Sequence, residues 1–255
     1  MAERGKSCEN RDCQPLEQPG AGKSIKMSLL GKAALVMWHG VEEAVRGAHD
    51  DWHSHEHLAE RLALPGFRRG RRCVSPAGEG YFLMYEVEAL ATLTSPAYLD
   101  RLNDPSPWSR EVIPSITGMS RTLCRVLVSE GTGVGGWIGT RRFSALGERR
   151  EEWVDHLARI GGGDLASQAG LIGFHLLEGD STASARRTEE KKLREREDET
   201  ADLALLVEGY EREAVEDALR GDLGIGALRE RGGAEIGDAG LYQTAHVVSA
   251  ADISE

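Results

Sequence analysis

The chain has 255 residues, 40% of them hydrophobic, with 42 Asp and Glu against 31 Lys and Arg and a formal net charge of −11. That is enough apolar chain for one large domain or two ordinary ones, and the acidic balance disfavours a nucleic-acid partner, which needs a concentrated basic surface. No run of about 18 apolar residues occurs, so no membrane span is expected, and the N-terminus lacks the apolar stretch of a secretion signal.

Residues 1–27 are polar, rich in Gly, Pro and charge, and lack periodicity, which predicts a disordered tail; Met27 is an alternative start. Gly20-Ala21-Gly22-Lys23-Ser24 looks like the end of a phosphate-binding loop, but Glu17 stands where that motif needs Gly and no strand precedes it. From residue 28 to 131 the pattern reads β-α-β-β-α-β. Ala33–Gly40 is an apolar strand, His49–Ala63 a helix stopped by Leu64-Pro65-Gly66, and Phe67–Val74 and Tyr81–Val87 a pair of strands joined through Pro and Gly. A Pro-interrupted helical region around Ser95–Leu102 and Trp108 leads to a fourth strand, Ser120–Val128.

The same order recurs over 132–255. Trp137–Ala145 is a strand, Arg149–Ile160 a helix, Gly170–Leu177 and Leu203–Tyr210 strands, Glu213–Leu228 a helix, and Leu241–Val248 the last strand. Ala185–Thr200, dense in mixed charge, is expected to be a solvated insertion, with a partner-binding arm as the alternative. Cys8, Cys13, Cys73 and Cys124 include no Cys-x-x-Cys pair and read as reduced thiols of a cytoplasmic protein, neither a disulfide framework nor a zinc site.

A βαββαβ unit covers one sheet face with its helices and leaves the other bare. Two such units in one chain are expected to press their bare faces together into a barrel-like α+β core; pairing with a second copy, as a homodimer, is the alternative. The segment Trp52–Leu62, with Pro65-Gly66-Phe67 and the basic strand Arg68-Arg69-Gly70-Arg71-Arg72, resembles a W-[YH]-x-x-E-H motif of the dimeric α/β barrel superfamily. Tyr81–Val87, Leu93–Leu99, Asn103–Trp108, Leu176–Asp180 and Leu205–Tyr210 fit a tandem ferredoxin-like subgroup of it. The resemblance implies a fold more than an activity, because the superfamily includes cofactor-free monooxygenases, haem-degrading enzymes, cyclases, lyases and isomerases.

His49, His53, His55 and His57 are the sharpest chemical feature. His49, His53 and His57 follow i,i+4 spacing on one helix face. His49 and His57 lie about 12 Å apart along the axis, too far to share a metal, so His53/His57 is the candidate metal pair. His57 or His53 is also the expected general base, since imidazole moves protons near neutral pH. Glu86 interrupts an apolar strand; an arginine of the adjacent strand is expected to pair with it across the hairpin as a structural ion pair, or Glu86 acts with Arg72 in positioning an anionic substrate group. Trp52, Tyr98, Trp108 and His39 are expected to wall a largely apolar cavity. These residues predict an enzyme of lyase, isomerase or cyclase type on a small metabolite, with no cofactor or a divalent metal. The alternatives are a non-catalytic small-molecule binder and a haem-binding or haem-degrading monooxygenase-like protein.

Overall fold

Strand β1 (Ala33–Val41) is buried along almost its whole length, because both of its faces are covered. Ala34, Val36 and Trp38 point to one apolar cluster and Leu35 and Met37 to another, as the two-residue period of a strand requires. The computed structural model describes residues 29–78, 80–163, 165–194 and 197–253; the expected tail, with Cys8, Cys13 and Met27, lies outside them.

The other strands of the first half are β2 (Phe67–Val74), β3 (Gly80–Val87) and β4 (Ile116–Gly131). Those of the second are β5 (Trp137–Ser144), β6 (Leu171–Gly179), β7 (Leu203–Gly209), a two-residue β8 (Glu235–Ile236) and β9 (Gly240–Ser249). The first half runs β4-β1-β3-β2 and the second β9-β5-β7-β6. The edge strand β4 pairs with β6 and the edge strand β2 with β9. An eight-stranded antiparallel barrel therefore closes within one chain, and closure leaves no unpaired edge. Trp38, Phe82, Met84, Ile138, Leu177 and Leu206 meet inside it. The two described cysteines, Cys73 and Cys124, are free thiols buried in the same interior.

The interior also holds ions. Arg69 grips Glu86 through Nε–Oε1 at 2.8 Å and Nη2–Oε2 at 2.9 Å, and Arg71 lies 3.3 Å from Glu86 and 2.7 Å from Glu208. His175 approaches Glu208 at 3.3 Å and the Gly135 N–H donates to it at 2.8 Å. Burial pushes the Glu208 carboxyl up, but Arg71 and His175 outweigh it and hold it well below the usual carboxylate range. Buried carboxylates persist only when paired in this way.

Helices cover the outside of the barrel. In the first half they are α1 (Arg46–Trp52), α2 (Leu58–Leu62), α3 (Pro96–Asn103) and α4 (Pro107–Val112). Ser95 and Ser106 cap α3 and α4, each hydroxyl accepting a backbone N–H with Pro next in sequence. The second half has α5 (Arg150–Gly161), α6 (Ser181–Ser184), α7 (Glu189–Leu193), α8 (Arg212–Arg220) and α9 (Ile225–Arg231). The single helix expected over 213–228 is thus two, broken at Gly221–Gly224, where Leu223 is inserted into the core. Among the described residues no helix is long and apolar enough to cross a membrane.

Candidate functional site

The site lies between the helices and the outer sheet face of the first half. Helices α1 and α2 are one continuous helical stretch joined by a π turn, His53–His57, in which the Leu58 N–H donates to His53 O. Such turns widen a helix and concentrate at functional sites. Here the wider turn places Trp52 against His57, ring centroids 4.3 Å apart, where regular 3.6-residue spacing would rotate them apart. Gly70 of β2 lets α2 approach, since a Cβ there would meet Leu58 Cδ2 at 2.4 Å.

Between these layers is a cavity of about 40 Å³, room for a few waters. Leu35, Met37, Leu83, Leu102 and Ile113 give it apolar walls, and His39, His49, His53 and His57 all line it. His39 Nδ1 donates to the Gly40 carbonyl at 3.0 Å, leaving Nε2 buried without a partner. Its pKa is lowered to about 3, by burial first and the neighbouring His49 second. His53 Nε2 lies 3.3 Å from the Tyr85 hydroxyl and its Nδ1 is unpartnered. His57 Nδ1 is unpartnered as well. Burial holds both well below the ordinary histidine range, helped by His49 for His53 and by Arg61 for His57. These imidazoles are therefore neutral at pH 7.

His49 is fully buried and carries a different partner. Its Nδ1 lies 3.1 Å from Asp50 Oδ1. Burial raises the Asp50 carboxyl, but the His49 hydrogen bond and the Arg72 charge lower it further, so it is ionised and accepts from Nδ1–H. In a neutral ring that gives Nδ1–H to Asp50 the lone pair is on Nε2, which is buried and has no protein partner. Arg72 Nη1 braces the pair by donating to the Asp50 carbonyl at 2.7 Å and Ser54 Oγ at 2.9 Å.

The charged insertion supplies the remaining wall. Thr188, Glu190, Lys191 and Arg194 of the second half line the first half's cavity. Glu190 forms a buried ion pair with Arg61 of α2, and Arg194 one with Asp198 at 2.8 Å. The expectation of a solvated insertion is corrected in part: residues 185–187, 192 and 199–200 are exposed, while Thr188 and Glu190 are buried against the first half, Glu190 because it finds a buried counter-charge in Arg61. Outside Thr188 and Lys191 is an open depression of about 690 Å³.

Of the residues singled out from sequence, His39, Trp52, His53, His57 and Tyr98 line the cavity. Arg72 stands behind Asp50, and Trp108 packs one layer out, against the cluster of Trp52, Val112 and Ile113. Glu86 is on the opposite sheet face, so it does not work alongside Arg72; alternation separates Glu86 from Tyr85, which touches the histidines. Sequence reasoning gave no role to His49–Asp50, Arg61, Arg121 or the insertion. The adjacency of His49 and Asp50 was a readable signal. Nothing local marks Glu190.

The His53/His57 pair finds no metal-binding quorum: among the described residues no three His, Cys, Asp or Glu side chains group to hold an ion. Imidazoles suit haem iron chemically, and a porphyrin, like any ring-sized ligand, does not fit the closed cavity of about 40 Å³; no chemistry is derived through haem.

No family model and no curated protein matches the chain. Solved structures do. An anthrone oxidase-like protein is similar at 15% identity over 88% of this chain and 96% of its own, with a TM-score of 0.59. A candidate monooxygenase of Lactobacillus acidophilus matches at 8% identity over 86% and 97%, TM-score 0.51. A haem-binding protein of Thermus thermophilus matches more loosely, at 10% identity over 85% and 92% and a TM-score of 0.44. The chain has the ferredoxin-like, dimeric α/β barrel fold.

Proposed function

We propose that the first-half pocket oxidises a small aromatic substrate that carries an acidic C–H or O–H, in the manner of a monooxygenase. The observation that carries this reading is the buried His49–Asp50 pair at the cavity wall, in which His49 Nε2 is buried and has no protein partner. A neutral imidazole oriented by a carboxylate is a general base, and the carboxylate stabilises the imidazolium that forms. His49 Nε2 takes the substrate proton. The electron pair left on the substrate reduces dioxygen; for a methylene carbon, one oxygen atom ends in the ketone and the other leaves as water with the two hydrogens. Tyr85, His53 and His57 exclude bulk water from the reacting atoms and present neutral hydrogen-bonding groups.

The proton-transfer step agrees with the sequence-based expectation, with His49 replacing His53 or His57 as the base. The reaction type moves from lyase or isomerase toward oxidation, because the similar solved structures with the higher TM-scores are an anthrone oxidase-like protein and a candidate monooxygenase. Since the cavity holds only a few waters, a ring-sized substrate enters as α7 lifts and the Arg61–Glu190 pair opens.

The test is oxygen uptake by the full chain with anthrone as probe, read together with the appearance of the corresponding quinone. The expected result is stoichiometric uptake that falls by about 10²–10⁴-fold in His49→Ala and by at least about tenfold in Asp50→Asn. Undiminished turnover in His49→Ala removes His49 as the base.

A further inference from the structure

The pocket contains a cation that no described residue neutralises. Arg121 of β4 lines the cavity, is 7% exposed, and sits opposite Met37 of β1 in the ladder. Its Nη2 donates to Tyr98 Oη at 2.9 Å, and it forms no ion pair with any described residue. The other buried guanidiniums are accounted for. Arg61 pairs with Glu190, Arg69 with Glu86, Arg71 with Glu208 and Arg72 with Asp50, while Arg141 donates to the Gly237 and Leu219 carbonyls. Arg121 alone has neither a carboxylate nor a pair of carbonyls.

More positive charge converges on the same wall. Lys191 Nζ donates to the Ser184 carbonyl at 2.6 Å and shares Asp198 with Arg194, at 3.6 Å and 2.8 Å. Arg121, Lys191 and Arg194 therefore face the pocket with Asp198 as their one acidic partner among the described residues. Burial, and then the charge of Arg121, lower the Lys191 pKa, as expected for two cations held near each other. An uncompensated buried charge is costly, and the cost is relieved when a ligand brings the opposite charge.

We infer that Arg121 and Tyr98 form the seat for an anionic oxygen on the aromatic substrate. Because Tyr98 Oη accepts from Arg121, its own O–H is free to donate to that oxygen, so a guanidinium and a phenol converge on one atom in a water-poor pocket. The apolar walls take the ring and this seat takes the oxygen. The substrate class is accordingly a hydroxyarene or enolisable arene with an anionic oxygen. That oxygen is either a permanent carboxylate or the phenolate or enolate formed when the proton leaves. The assignment deepens the oxidation reading and rests on it for the location of the reacting ring, but it concerns binding and is read without turnover.

The experiment is equilibrium binding to the full chain of three probes: 1-hydroxy-2-naphthoate, its neutral analogue 2-(hydroxymethyl)-1-naphthol, and 2-naphthol. Titrations run from pH 6 to 8, following protein fluorescence and probe absorbance. The expected result is at least one of two signatures. A permanent carboxylate gives the naphthoate at least a tenfold preference over the neutral analogue, constant with pH. An oxygen ionised in the pocket gives bound 2-naphthol the naphtholate absorbance below its free pKa. In Arg121→Gln the signature disappears while unfolding and circular dichroism confirm an intact fold, and Arg121→Lys retains it in part. Equal affinity for charged and neutral probes with no naphtholate spectrum, or a signature unchanged in Arg121→Gln, overturns the assignment. If the signature holds and anthrone is not oxidised, the oxidation reading falls and the anion seat stands. If anthrone is oxidised through His49 and the signature is missing, only the anion seat falls.

Discussion

The two halves share one strand order, yet their outer sheet–helix layers are built from opposite materials. In the second half, Phe143, Trp153, Leu157, Phe174, Leu205 and Val215 fill the layer with apolar side chains. Helix α5 is regular and approaches so closely that a Cβ on Gly161 would meet the Phe174 ring at 1.8 Å. In the first half the same layer holds four imidazoles, Arg61, Arg72 and Arg121, and a cavity, and its helix contains a π turn. Apolar packing is what stability alone selects; unpartnered buried polar atoms cost stability. The first half accepts that cost at four imidazoles and the second at Trp153 Nε1 and Arg141 Nε, which separates a layer that mainly supports the barrel from one that presents chemistry.

The largest effect that sharpens this contrast is in pH. His39, His53 and His57 have folded-state pKa values below the ordinary 6.5, His39 at about 3. As pH falls through 6.5 the unfolded chain takes up protons that the folded chain refuses. The stability these neutral histidines contribute is therefore complete above about pH 6.5 and lost progressively toward pH 3. For His39 the loss between pH 6.5 and 5 is up to about 2 kcal/mol, and His53 and His57 add to it in the same direction. Urea melts over that range are expected to show a steep slope that flattens clearly in His53→Leu and less in His156→Gln of the second half, whose half-buried imidazole is lowered too. An unflattened slope in His53→Leu breaks the argument.

Next in size is core truncation. Trp153→Ala removes a fully buried ring from the filled layer and is expected to cost about 3–5 kcal/mol in denaturant unfolding. His53→Leu removes the unpartnered Nδ1 but leaves the buried Tyr85 hydroxyl without its His53 partner, and is expected to cost about 1–3 kcal/mol at pH 7. If His53→Leu is as damaging as Trp153→Ala, the first-half layer is a structural core like the other.

The smallest effect concerns the strap. Glu190→Gln leaves Arg61 buried without its counter-charge and is expected to weaken docking of α7 by about 1–3 kcal/mol. Hydrogen exchange should then quicken at least about tenfold over residues 189–193 and stay unchanged over α5. Unchanged exchange at 189–193 means that the ion pair does not hold the strap.

Much of this architecture was readable in the residues. Apolar runs such as Ala33–Gly40 and Leu203–Tyr210 mark strands covered on both faces, and the repeated β-α-β-β-α-β order needs two bare sheet faces to meet, as they do inside the barrel. Five of the residues chosen as site residues line one cavity because helix spacing and aromatic content are local properties. Glu86 was misplaced beside the histidines because period-two alternation says that two faces exist and not which one turns inward. The π turn went unseen because a 3.6-residue period was assumed through His53–His57. The insertion looked solvated because its acids and bases satisfy one another equally well on paper.

Local order of strands and helices, the closed α+β core and the histidine-rich helix follow from short-range patterns, since dihedral preferences and side-chain periodicity act over a few residues. Which imidazole acquires a carboxylate, which guanidinium is left without one, and which half's insertion roofs the other half's pocket are matters of distance between residues as far apart in the chain as Arg71 and Glu208, 137 positions. Electrostatic pairing and desolvation depend on that spatial proximity, and only closure of the barrel brings those groups together.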